Sequence, residues 1–500
     1  MTDVPMAATF IVVIGSASLL TVTARRLHPN DYLPSLDRWA LSDRVLGTFW
    51  TWLLLGGTIF TAYTFTAVPG LVYGNGAPAF FALPYTVIVC PLAFILLPRM
   101  WTMAQKHGYV TAADFVRGQY RSAPLALVVA LTGILATMPY LALQLLGIRA
   151  VLSAAGMPSR GIVSDIAMVV IFAGLAVATY RYGLRAPTVI SLFKCVVIFA
   201  STLAICWLVL TRLGGTGTVF DAAATRLATS TGNTALLLTA DQQPAFATLA
   251  AGSALALLMY PHVVTAAFAA SGPSTLRRAT VALPLWTAVL ALFGLLGIAA
   301  LAADVHTPPN GAETAVPMLI VRLMPGALAG VILGALTIGA LVPAAVMSIA
   351  AATSFVRNVY VEYFDPTATP KRQVRIAKTV SLTAKAGATA FVFGLRDQDA
   401  INLQLLGGVW ILQIFPAVAI GLYTRRLHPR ALITGWAVGM VLGTVLVVHT
   451  GFSPLVPLGL PGRSLAFYAG LAAMLLNLTV AVVGTAVLNL IGKGPGARGD

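Results

Sequence analysis

Charge is what this chain has least of. Of 500 residues only 9% are Asp, Glu, Lys or Arg, and 15 are acidic. A soluble domain carries about a quarter charged residues, so a large soluble fold is excluded. Cysteine is nearly absent too. Cys90, Cys195 and Cys206 lie in apolar segments, an odd number that argues against a disulfide framework or a zinc site. There are no paired carboxylates, no His or Cys with ligand spacing, and no phosphate-binding glycine loop. No enzymatic chemistry and no organic cofactor are expected. No acid lies deep in any apolar run; Asp165 is near an end of its own.

Apolar residues fill the space. They make up 58% of the chain, and the mean hydropathy is +0.89. Runs long enough to span lipid lie near 6–24, 46–73, 76–98, 123–153, 160–180, 187–212, 247–271, 279–303, 326–360, 376–395, 400–423, 430–449 and 464–491. An all-α polytopic membrane protein of about 13 helices follows, with residues 1–500 as a single domain. The net charge of +16 would suggest nucleic acid on a soluble protein. Here most of the 31 Lys and Arg fall in alternate loops, the bias of cytoplasmic segments. The N-terminus is expected outside and the C-terminus in the cytoplasm, in a plasma (inner) membrane. "MAATFIVVIGSASLLTV" has no Lys or Arg before it, and Arg25 and Arg26 follow, so it reads as a retained helix rather than a signal peptide. Segment 213–246 reads as a loop, "MLIVRLMPG" as a short helix on the outer face, and the tail "GKGPGARGD" as disordered.

Two spans carry interruptions. "GGTIFTAYTFTAVPG" holds adjacent glycines, threonines and a proline, and "LLMYPHVVTAAFAASGP" holds Pro261 in mid-helix beside His262. Lipid offers no hydrogen-bond partners, so irregular backbone at that depth lines a site or is buried in protein. Small residues and Thr also serve plain helix packing. The interrupted spans are the second and seventh, and each opens a block of five. Blocks 46–212 and 247–423 are inverted by their odd number of spans, while 430–491 adds two helices. Paired interruptions of this kind mark an inverted-repeat transporter with a midplane site.

The sequence resembles the solute:sodium symporter family. "GYVTAADFVRGQYRS", "YRYGLRAPTVISLFKC", "SIAAATSFVRNVYVEYF" and "GGVWILQIFPAVAIGLY" match that family's stretches in order. "ALTGILATMPYLALQLLGI", "AAFAASGPSTLRRATVALP" and "LVPAAVMSIAAATSFVRNVY" look like its monocarboxylate (acetate/pyruvate) permease branch. The resemblance implies a five-plus-five inverted-repeat fold with one helix before and two after the core. It also implies a Na+ site. The two backbone carbonyls fall on Gly57 and Phe60. The family's adjacent hydroxyl pair falls on Val342 and Pro343, counted back from Asn358, which replaces an Asp. The nearest hydroxyl is Ser348, with an Ala345 carbonyl beside it. That set is short of what sodium normally wants. Family Asp and Gln positions on the sixth span fall on Ser191 and Lys194.

A lysine inside a membrane is expensive and usually functional. Lys194 either snorkels to the inner surface or stands in for the family's cation, pointing at Gly57, Phe60 or Ser348. Lys385, within its own span, reads likewise as a lysine snorkelling to the surface or as functional. Proton coupling is therefore an alternative to sodium coupling. Basic groups without buried acids also suit an anion.

A small monocarboxylate needs a few polar donors in an apolar pocket. The broken helices offer Thr58, Thr61, Tyr63, Thr64, Tyr260 and His262; the fourth span offers Tyr140 and Gln144, four apart; the eleventh offers Trp410 and Gln413. Each is also an ordinary packing residue. The reading is a symporter importing a short monocarboxylate (acetate, pyruvate, propionate, lactate) on a sodium or proton gradient. Its partners are that anion, the coupling ion and the lipid bilayer, with no nucleic acid and no obligate protein partner. The alternatives are a sodium symporter for proline or another amino acid, and a membrane-embedded sensor. Nothing is appended after "GKGPGARGD", which weighs against the sensor.

Overall fold

The computed structural model describes residues 3–27, 35–158, 161–229, 235–309, 311–394, 400–459 and 465–491. Helices dominate them. The one sheet among these residues is a two-stranded antiparallel hairpin, Leu455–Pro457 with Ala466–Tyr468. Each of the predicted runs coincides with a helix or a bent pair of helices. Among the described residues eight single helices are long and apolar enough to cross a membrane, and up to ten spans if each bent pair is one. That falls short of thirteen. Val4–Leu27, Ile162–Tyr182 and Pro370–Gly394 occupy the other predicted positions without meeting that measure.

Both interruptions are real breaks. Thr48–Ile59 and Tyr63–Asn75 meet at 54°, and Ala240–Leu257 and Pro261–Phe268 at 48°. The two broken helices run antiparallel, side by side. At one end the Leu46 amide donates to Ala269 O and the Ser271 amide to Leu46 O. At the other the Ala77 amide donates to Ala235 O. The start of one broken helix therefore meets the end of the other, as an inverted repeat requires.

Lipid supplies no hydrophobic drive between helices, so close packing of small residues does the work. Gly435, Gly439 and Gly443, spaced by four, seat the helix Pro429–His449 against its neighbours. A Cβ at Gly435 would lie 2.5 Å from Asn477 O, and one at Gly439 2.1 Å from Gln413 Oε1. Helix Val4–Leu27 packs the same way on Gly326–Phe355, where a Cβ at Gly330 would reach 2.1 Å from Thr9 Oγ1.

Two loop expectations fare differently. "MLIVRLMPG" does contain a helix, Ala315–Leu323. Segment 213–246 is corrected: Thr216–Thr229 is helical, with Val219, Ala223 and Leu227 buried at spacings of four. Arg226 pairs with Asp304 and ties it down. The alternation of these apolar residues was visible, but Thr, Ala and Gly around them masked it. The tail "GKGPGARGD" lies outside the described residues.

On the face predicted to be cytoplasmic, Thr111 caps the helix Ala112–Tyr120 in a capping box with Asp114. Asn358 bridges to it, its Nδ2 donating to Asp114 Oδ1 at 2.7 Å and its Oδ1 accepting from Thr111 Oγ1 at 2.8 Å. A cysteine placed at exposed Asn75 is expected to react with a membrane-impermeant maleimide from outside intact cells. One at exposed Arg121 is expected to react only after permeabilisation, and the reverse pattern would overturn the predicted orientation.

Candidate functional site

The first break begins where the helical ladder stops. The Phe60 amide makes the last regular bond, to Gly56 O at 2.9 Å. Phe60 itself is extended (φ −93°, ψ 102°). Beyond it the donors go elsewhere. The Ala62 amide donates to Gln144 Oε1 at 3.1 Å, the Tyr63 amide to Thr61 Oγ1 at 3.1 Å, and the Thr64 amide to Thr61 O at 2.9 Å. A π-helical turn, Tyr63–Ala67, then restarts the helix; such turns occur often at functional sites. The carbonyls of Gly57 and Phe60 are left without helical donors.

Lys194, on the helix Arg185–Arg212, fills that need. Its Nζ donates to Gly57 O at 2.8 Å, Phe60 O at 2.6 Å and Gly339 O at 3.1 Å. The side chain is fully buried, so it does not snorkel to the inner surface. The rings of Phe65 and Trp286 lie 5.5 and 5.8 Å from Nζ, within cation–π range. Lys194 has no acidic partner among the described residues. Lys385 is buried as well, with Ser381 Oγ of its own helix at 3.1 Å.

The residues present do not fit a sodium ion at this spot. Both backbone carbonyls are engaged by the ammonium. Val342 and Pro343, where the family's pattern puts the hydroxyl pair, offer none; Ser348 donates its hydroxyl to Ala345 O at 2.8 Å. Of the set Gly57, Phe60, Ala345 and Ser348, two carbonyls thus already accept from Lys194.

On its other side the break meets an aromatic cluster. Gln144 caps it, and its Nε2 donates to Tyr140 O at 3.1 Å. The Tyr140 hydroxyl lies near Thr61 without a hydrogen bond of normal geometry. The rings of Tyr140, Tyr260 and His262 lie mutually 5.2–5.3 Å apart. Tyr260 is the extended hinge of the second break (ψ 133°), and Pro261 starts the next half-helix. Tyr260 Oη makes a long bond to Gln404 O at 3.4 Å. His262 is fully buried with neither ring nitrogen bonded. Tyr63 and Tyr85, with ring centroids 5.9 Å apart, also carry unpartnered buried hydroxyls. Buried polar groups are normally hydrogen-bonded, so this concentration of free donors suits a polar guest.

Several predicted contacts fall elsewhere. Thr58 Oγ1 turns back to Leu54 O at 2.5 Å. Gln413 bonds to Val409 O and receives Asn477 Nδ2, so it fastens one of the two added helices. Trp410 Nε1 donates to Thr444 Oγ1 at 3.1 Å, beside an apolar cavity of about 330 Å³. Trp410 and Gln413 face the added helices, because only packing decides which side of a helix meets which neighbour. Sequence reasoning missed Gly339, Trp286 and Tyr85. Trp286 fits because Gly56 has no side chain: a Cβ there would lie 2.0 Å from Trp286 Nε1.

Two antiparallel broken helices around a buried charge and free polar groups define a membrane transporter of the inverted-repeat class. The model of the sodium:solute symporter family matches residues 39–443, and the chain belongs to that family. It is 44% identical over 482 residues to a monocarboxylate transport permease protein of Rhizobium johnstonii, covering 96% of each chain. It is 24% identical over 480 residues to the sodium/pantothenate symporter of Escherichia coli, covering 91% and 92%. In fold it is similar to a Na+-coupled sialic acid symporter in a substrate-bound, outward-open state, with TM-score 0.77 at 15% identity over 97% and 98% of the two chains.

Replacing Gln144 by Ala leaves the Ala62 amide buried without a partner. A loss of about 1–3 kcal/mol in stability is expected, read by denaturant unfolding of the purified protein; an unchanged midpoint would remove Gln144 as the cap of the break.

Proposed function

We propose that the chain is a secondary active symporter importing a short monocarboxylate, such as pyruvate, acetate, propionate or lactate, by alternating access. In this reading 46–212 and 247–423 are the moving repeats, and 430–491 lies outside them. The observation that carries it is a buried basic group with no acidic partner among the described residues: Lys194 is wholly buried and its partners are neutral carbonyls. An uncompensated buried charge is costly, and an anion supplies what is missing. Parting the rings of Tyr140, Tyr260 and His262 would expose unbonded donors to a carboxylate. The Rhizobium johnstonii permease, named for monocarboxylate transport, supports the substrate class.

The alternative substrate, proline or another amino acid, brings its own ammonium into a site that already holds one. That repulsion favours the plain carboxylate. Family membership supports a sodium gradient as the driving force; a proton gradient is the alternative. Counterflow in proteoliposomes tests both questions, with labelled pyruvate, acetate and proline and with sodium and pH varied separately. Exchange of pyruvate and acetate but not proline is expected; exchange of proline alone would overturn the reading.

His262→Ala is expected to raise the half-saturation concentration for pyruvate about tenfold, the worth of one hydrogen bond to a charged group. Uptake kinetics equal to wild type would make His262 a packing residue.

A further inference from the structure

The family's pattern puts a free ion where this chain puts a side chain. We infer that the Lys194 ammonium is the resident occupant of the cation seat at the first break, tethered to its own helix in place of a bound ion. Three observations converge. The ammonium takes up both carbonyls that the break releases, at 2.8 and 2.6 Å, and a third, Gly339 O, at 3.1 Å. The hydroxyl pair that would complete a sodium shell is absent, because Val342 and Pro343 stand at its positions. Finally, the seat is shaped for an ammonium, with the faces of Phe65 and Trp286 near Nζ.

Lys385 shows that burial alone does not make such a seat. Its polar contact among the described residues is one hydroxyl on its own helix, and no carbonyl of a broken helix. Lys194 instead ties three helices together: the broken helix, its own, and Gly326–Phe355 through Gly339. A diffusing ion must be bound and lost in each cycle. A tethered amine stays in place, so the carbonyls of the break keep a partner whichever solute or ion is present.

The test fills the vacated seat from solution. Lys194→Ala removes the ammonium and leaves room for a small cation. In choline medium the variant is expected to melt at a lower temperature than wild type, and on the gradient that drives wild-type uptake to lose pyruvate uptake at least about tenfold, the weight of charged hydrogen bonds. Methylammonium at about 100 mM is expected to restore both by mass action, with no effect on wild type. Lys194→Met keeps the volume, removes the charge and leaves no room, so loss without rescue is expected. It also serves if the alanine variant does not fold. Wild-type melting and uptake in either variant would overturn the inference, as would a folded Lys194→Ala protein indifferent to methylammonium. The uptake arm rests on the transport reading above, but the melting arm needs no substrate. If wild type carries no pyruvate, that reading fails while the melting comparison still decides the seat.

Discussion

Everything at the centre of this protein depends on the cost of an unsatisfied carbonyl in a place without water. A helix that crosses lipid unbroken satisfies its own backbone; a broken one leaves donors and acceptors exposed to hydrocarbon or protein. Here the break at Phe60 is resolved by two side chains, one from each of two other helices. Gln144 takes the stray amide of Ala62, and Lys194 takes the stray carbonyls of Gly57 and Phe60. The bend of 54° is stable because those partners come from elements far away in sequence.

That solution puts a positive charge in the interior, and the charge shapes the chemistry around it. The deep core contributes no carboxylate; the buried acid among the described residues, Asp114, sits in the cap of the helix Ala112–Tyr120 with Thr111 and Asn358. Attraction between unit charges grows steeply as the local dielectric falls. Around the break, the unbonded hydroxyls of Tyr63, Tyr85 and Tyr140 and the imidazole of His262 are left able to donate hydrogen bonds.

Around the centre, the fold works by close approach. Glycines admit Trp286 at Gly56, Phe65 at Gly339 and the Tyr260 hydroxyl at Gly407, where added Cβ atoms would lie 2.0, 2.8 and 2.6 Å away. Separate groups of rings surround the two polar centres: Phe65 and Trp286 at Lys194, Tyr140 and Tyr260 at His262. Breaks and packing thus form one structure: the helices bend where small residues let large ones in.

The sequence by itself determined the membrane class, the positions of the runs and both breaks. Hydropathy, Pro261 and the Gly56–Gly57 pair act locally, so their consequences are written in neighbouring residues. It also marked Lys194 as out of place, because an intramembrane lysine costs free energy wherever it points. Tertiary structure alone decided where it points, and that Gly339 joins Gly57 and Phe60 around it, since 145 residues separate lysine and glycine. It turned Gln413 and Trp410 towards the added helices and ordered Thr216–Thr229 as a helix against its neighbours. Spacing tells which residues share a face; only the packed neighbours tell what that face meets.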